Sequence, residues 1–312
     1  MQTAFDVYAL TKAFLEADEW IARLIKEELG MEPVGPVQWV PENDGQRQLV
    51  RYFEYTRDEV DKLPELNAWA RTTAEELNQI LAEHGFSIQL ESWQPSPDRF
   101  GVVAIYDITI NWLEEGSITD DDGNERRLPN GRPAFRLGDG AEVEFYRTRN
   151  GQVVVRIPGE DTNDAVYLTK ADQPLEQFEL LAEAEQLSRE TARARYTNDF
   201  GGILMPNVLM DVKPEIAEWL VGFSGTDAAG SPWTVMQALM QVKFALGPKG
   251  ARAKVAVAIE FSRSVAREPG PDYVVDHDIL VWMERPDLST PFFAAYVPMS
   301  EFADHQVGLD EI

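Results

Sequence analysis

The residues that most often carry catalysis are scarce in this chain. Its three histidines, His84, His277 and His305, do not stand at metal-ligand spacing. Cysteine is absent, which excludes disulfides, thiolate catalysis and Cys-ligated zinc. Ser224 lies in Gly222-Phe223-Ser224-Gly225, which misses the Gly-x-Ser-x-Gly spacing of a nucleophile elbow. Gly247-Pro248-Lys249-Gly250 lacks the frame and the Ser or Thr of a phosphate loop and reads as a turn. The acidic run Asp120 to Glu125 lacks the distal bidentate Glu of a calcium loop and reads as a solvated hairpin. With 54 carboxylates, close acidic pairs arise by chance and assign nothing. The expectation is therefore no catalytic residue, no metal and no cofactor. What remains is a segment with strand chemistry: Ala251, Ala253, Val255, Val257, Ile259 and Phe261 alternate with Arg252, Lys254, Ala256, Ala258, Glu260 and Ser262. An extended backbone sends the first set to one face and the second to the other.

Several elements must position that segment. Apolar residues at helical spacing predict a helix from about Phe5 to Leu29, ended by a proline-rich stretch over Met31 to Asp44. A second amphipathic run from Arg57 to His84 predicts another helix. From Gly101 to Trp112 the composition turns β-rich. Short strands are expected at Glu142–Arg147, Gln152–Ile157 and Ala165–Thr169, the first two joined through Arg149-Asn150-Gly151, a strong hairpin signal. A Glu/Leu helix over Pro174 to Arg195 follows. A strand at Val208–Val212 and a helix at Lys213–Gly222 come next. Strands are then expected at Thr234–Leu246, Ala251–Phe261, Tyr273–Met283 and Pro291–Val297. Strands and helices without strict βαβ alternation indicate an α+β class.

Composition narrows the partners. The 312 residues are 44% apolar, enough for a large core, and no 18-residue apolar run predicts a membrane span. Net charge is −26, which repels phosphate backbones and anionic lipid, so neither nucleic acid nor membrane is an expected partner. The N-terminus shows no signal-peptide pattern, and with no cysteines the expected location is the cytoplasm.

Val103-Ala104-Ile105-Tyr106-Asp107-Ile108-Thr109-Ile110-Asn111-Trp112 resembles a serpin strand that usually reads Asn-Ala-Ile-Tyr-Phe-Lys-Gly-x-Trp, with one extra residue before the tryptophan. Met205-Pro206-Asn207-Val208 is similar to the family's Leu-Pro-x-Phe strand. Phe244 to Ala253 stands where serpins carry a strand running into Glu-x-Gly-Thr-Glu-Ala. Tyr273-Val274-Val275-Asp276-His277-Asp278-Ile279-Leu280-Val281 resembles Phe-x-Ala-Asp-His-Pro-Phe-Leu-Phe, and Pro291 to Val297 resembles the closing Ile-Leu-Phe-x-Gly-Arg-Val strand. The resemblance covers roughly residues 100 to 300. The usual Ser-Pro-x-Ser-Ile of the N-terminal third is missing.

The resemblance implies one α+β domain over residues 1–312, helical over about 1–98 and sheet-rich over about 99–300. A large mixed sheet, smaller sheets and a reactive loop at about 250–272 go with it. It implies an inhibitor of serine proteases, not itself an enzyme, acting by cleavage and insertion of that exposed loop as a strand. Trp112 is the candidate residue beneath the insertion point, although an ordinary core tryptophan fits it equally. The hinge would be Gly250, Ala251, Arg252, Ala253, Lys254, Val255 and Ala256. Counting from Gly250 puts the cleaved bond at Ser264–Val265, with Arg263 and Arg267 as alternatives that would present arginine to a trypsin-like protease. A monomer is expected. The alternative is a non-inhibitory binding or chaperone-like protein on the same scaffold, with 251–261 permanently in the sheet.

Overall fold

A computed structural model describes residues 3–30, 35–96, 98–138, 143–160, 164–251, 270–309 and 311. The chain divides into two compact units: residues 1–5, 107–212 and 242–312 form one, and residues 6–106 and 213–241 the other. Strands and helices are numbered along the chain.

The first unit is built on seven antiparallel strands. In spatial order they are β1 (Thr3–Phe5), β19 (Phe293–Val297), β18 (Ile279–Glu284), β9 (Ala165–Lys170), β8 (Val153–Pro158), β7 (Glu144–Arg147) and β10 (Arg195–Tyr196). Helix α4 (Gln177–Thr191) packs on β1, β18 and β19, with Phe178 set edge-on to Phe5 at 4.9 Å. The central strands are buried on both faces, which is why β18 and β19 read as nearly continuous apolar runs. The Asn-Gly signal is realised: Gly151 adopts φ +84 in the turn between β7 and β8. Two smaller sheets complete this unit. One has β17 (Tyr273–Val274), β11 (Ile203–Pro206) and β6 (Ala134–Leu137), with β17 and β11 parallel. The other has β12 (Val208–Val212), β15 (Val242–Gly247), β16 (Gly250–Ala251) and β5 (Ile110–Asn111).

The second unit contains helix α1 (Val7–Leu29), which packs across a two-stranded sheet of β3 (Leu66–Arg71) and β4 (Gly101–Tyr106). The edge of β4 away from β3 carries no strand among the described residues. Helices α2 (Asp44–Thr56), α3 (Ala74–Glu83) and the short α5 (Ala217–Leu220) belong here too, as do β2 (Gln38–Val40), β13 (Ser224–Thr226) and β14 (Pro232–Thr234). Leu77 and Leu81 of α3 pack on Val103 and Ile105 of β4, flanked by Trp69 and Trp93.

The α+β class stands, and several boundaries move. Residues 57–84 are not one helix. Pro64 disfavours helical backbone at Leu63, which adopts φ −115, and residues 66–71 pair along their whole length with β4. Only Ala74–Glu83 is α-helical, started by Thr73, whose Oγ1 accepts from the Glu76 N–H and donates to the Glu76 carboxylate. The N-terminal part is thus helical with strands interleaved. The expected strand 234–246 splits into β14 and β15, and 273–283 splits into β17 and β18. In each case the apolar spacing continues across the break but the hydrogen-bonding partner changes. The largest sheet is wholly antiparallel, and mixed pairing occurs in the β17–β11–β6 sheet. Among the described residues no helix is long and apolar enough to cross a membrane.

Asp6 caps α1, accepting from the Ala9 N–H at 3.0 Å, and its burial pushes the carboxyl up to about 7. Burial likewise lifts Asp18 to about 6. A carboxyl with a raised folded-state pKa contributes stability that is full below its unfolded value, near 4, and lost as pH rises through 6 to 7. The melting temperature should therefore fall by several degrees between about pH 5 and pH 8. Asp6→Asn, which keeps an accepting cap, should flatten that slope in a thermal unfolding series. An unchanged slope would remove Asp6 as its source.

Candidate functional site

The strand alternation singled out in the sequence begins at a slot between two strands. β15 ends at Gly247, Pro248 and Lys249 turn the chain, and β16 returns antiparallel with Gly247 opposite Gly250 and Leu246 opposite Ala251. On its other side β16 pairs with β5: Gly250 opposite Asn111 and Ala251 opposite Ile110. Two residues thus sit as a strand between β15 and β5, and both are buried. Gly250 is required there. A Cβ would lie 2.3 Å from the Ile110 carbonyl oxygen and 2.9 Å from the Asn111 Cα, both backbone atoms that cannot swing aside.

Trp112 holds this slot together. It is 3% exposed, its indole Nε1 donates to the Gly247 carbonyl at 3.0 Å, and its backbone N–H donates to the Lys249 carbonyl at 3.1 Å. The Gly116 N–H donates to the Pro248 carbonyl at 2.6 Å. One tryptophan therefore joins the end of β5 to both sides of the β15–β16 turn. A buried indole N–H left unpaired would be costly, so the side chain and the turn fix each other. The sequence gives no hint of the support on the far side. Buried Asn207 accepts from the Val307 N–H at 3.0 Å, and the Val307 carbonyl oxygen would lie 2.3 Å from a Cβ at Gly247.

The chain is described again from Gly270, where it is clamped. Arg136 donates through Nε to both Asp272 carboxylate oxygens at 2.9 Å and through an Nη to the Gly201 carbonyl at 2.9 Å. The Gly201 N–H donates to Pro271 O, and the Tyr273 N–H to Gly202 O, leading into the parallel β17–β11 pair. Beyond it, burial pushes the Asp276 carboxyl up, but hydrogen bonds from Lys170 and His277 outweigh that and hold it below the usual carboxylate range.

Of the sequence-derived site residues, Trp112, Gly250 and Ala251 come together in one slot. The remaining hinge positions, Arg252, Ala253, Lys254, Val255 and Ala256, lie outside the described residues. So do the candidate reactive-bond positions Arg263, Ser264, Val265 and Arg267. The Arg136–Asp272 clamp and Asn207 were missed. Nothing in the sequence ties Asp272 to an arginine 136 residues earlier.

No family profile and no curated protein matches this chain by sequence. Solved structures do match in shape. A serpin from Schistosoma mansoni aligns over 96% of this chain and 96% of its own, with a TM-score of 0.53 at 12% identity. The mouse protein-Z dependent protease inhibitor aligns over 96% and 91%, at 0.53 and 10%. Tengpin, a thermophilic serpin in its native state, aligns over 95% and 88%, at 0.51 and 9%. Identities this low speak to the fold alone, but the shared architecture runs nearly end to end, and the chain has the serpin fold.

Proposed function

We propose that this protein inhibits serine proteases by offering residues 252–269 as a substrate and then trapping the enzyme by strand insertion. One observation carries the reading: β16 is already seated between β15 and β5, while the far end of the segment is held separately at Gly270–Tyr273. The protease serine would attack the scissile carbonyl, forming an ester and releasing the new amino terminus with the proton. The freed N-terminal part could then extend β16, and the established register would set Ala253 against Ile108. Each further backbone hydrogen bond would add about 0.5–1.5 kcal/mol. The C-terminal part would stay on the Arg136–Asp272 clamp.

This chain would itself be no enzyme. We place the cleaved bond at Ser264–Val265, with Arg263 and Arg267 as alternatives for a trypsin-like target, and take the protein to be a cytoplasmic monomer. The seating of β16 also supports a second reading, a non-inhibitory binding protein in which the whole strand is permanently inserted.

Incubation with trypsin, chymotrypsin and a subtilisin, read by denaturing gel and intact mass, tests both. An SDS-stable adduct with cleavage between Ser262 and Arg267 is expected. Clean cleavage without adduct would overturn the inhibitor. Resistance of 251–271 to all three would favour the permanently inserted strand.

A further inference from the structure

On a chain of net charge −26, one cavity of about 790 Å³ in the first unit is lined by Arg147, Arg149, Arg189, Arg193 and Arg195. Five of the twenty arginines thus surround one depression, against a single lining carboxylate, Glu190. The end of β7 with its turn into β8, the last turn of α4 with the residues that follow it, and β10 bring them there. The last turn of a helix favours cations, which accounts for Arg189. It does not account for Arg147 and Arg195, which stand directly opposite each other on paired strands. Like charges at such positions repel, and β10 is only two residues long, so little pairing offsets the cost.

Two of the five guanidiniums are committed. Arg147 pairs with Asp199 at 2.8 Å and Arg189 with Glu185 at 3.4 Å. Arg149, Arg193 and Arg195 are exposed and make no side-chain ion pair among the described residues. A guanidinium presents planar N–H pairs that match two oxygens of a phosphate. A cavity of this volume is of the size that holds small molecules. A long polyanion would have to run on across an acidic surface that repels it, whereas a short one would not.

We propose that this cavity binds a small molecule carrying two or more linked phosphates, gripped by Arg149, Arg193 and Arg195. The site is separate from the loop-insertion slot, so it stands or falls independently of the inhibitory reading.

Calorimetric titration of the full chain with inorganic tripolyphosphate at low salt tests it, with orthophosphate and adenosine triphosphate run in parallel. One saturable site is expected, binding tripolyphosphate at least about tenfold tighter than orthophosphate. Equal affinity for adenosine triphosphate would assign recognition to the phosphates alone, and tighter binding would add the nucleoside; both support the site. The double variant Arg193→Gln/Arg195→Gln should weaken binding by about tenfold or more, and Arg51→Gln, on the exposed surface of α2, should leave it within about twofold. Should the double variant fail to fold by circular dichroism, Arg149→Gln in the turn carries the same comparison. Absence of saturable binding, or equal losses in the pocket and Arg51 variants, would overturn the proposal.

Discussion

Ala251→Asp is expected to abolish the stable protease adduct while leaving the protein cleavable. Ala251 is fully buried between β15 and β5, opposite Leu246 on one side and Ile110 on the other. The substitution would bury a carboxylate in the slot. Keeping it in the slot would cost several kcal/mol, either as a buried charge or as the price of protonating it. Leaving the slot forfeits the pairing of β16, and with it the nucleus from which further strand would grow. Cleavage depends on access to residues 252–269, so cutting should persist or accelerate while trapping is lost. Lys249→Asp is the matched control. It makes a larger charge change one residue ahead of Gly250, but its side chain is exposed in the turn. Adduct yield on denaturing gels should fall to background in the first variant and stay near wild type in the second. Equal adduct from both would mean that insertion does not proceed through this slot.

The second large effect concerns stability. Asp164→Ala should destabilise the protein by about 3–5 kcal/mol, lowering the melting temperature by roughly 10 °C. Asp164 is 1% exposed and accepts two parallel hydrogen bonds from Arg285, from Nε and Nη2, both at 2.8 Å. The pair closes one end of the β9–β18 ladder, just beyond Ala165 opposite Glu284. Removing the carboxylate strips a largely buried guanidinium of two charge-assisted hydrogen bonds, and that penalty exceeds what the intact pair contributes. The neutral double variant Asp164→Leu/Arg285→Met should therefore recover much of the loss. Urea unfolding of the three proteins decides it. A double variant no better than Asp164→Ala would show that packing around the pair matters more than its charge.

The candidate site was only partly legible in the sequence. Ala251 onward reads as a strand because its side chains alternate, and the Gly-Pro-Lys-Gly turn reads as a reversal because proline and glycine restrict or free the backbone locally. Trp112 could be named, since it closes a β-rich run. Its role could not, because the Gly247 carbonyl it meets lies 135 residues away. The Arg136–Asp272 clamp was hidden for the same reason. With 28 basic and 54 acidic residues, sequence alone gives no rule for which would meet.

By itself the sequence determined the features whose causes lie within a few residues. The cap of α1 at Asp6 and its stop at Gly30 are of this kind, as are the Asn-Gly hairpin and the absence of thiol chemistry. The tertiary structure alone decided that residues 66–71 become a strand rather than more helix, because pairing with β4 outweighs a weak local preference once Pro64 has broken the helical path. It alone placed β16 between β15 and β5 and gathered five arginines on an acidic chain. Torsional preference and periodicity act between neighbours. Hydrogen-bonding partners and electrostatic neighbourhoods are set only when segments a hundred residues apart close on one another, and the function proposed for this protein depends on those closures.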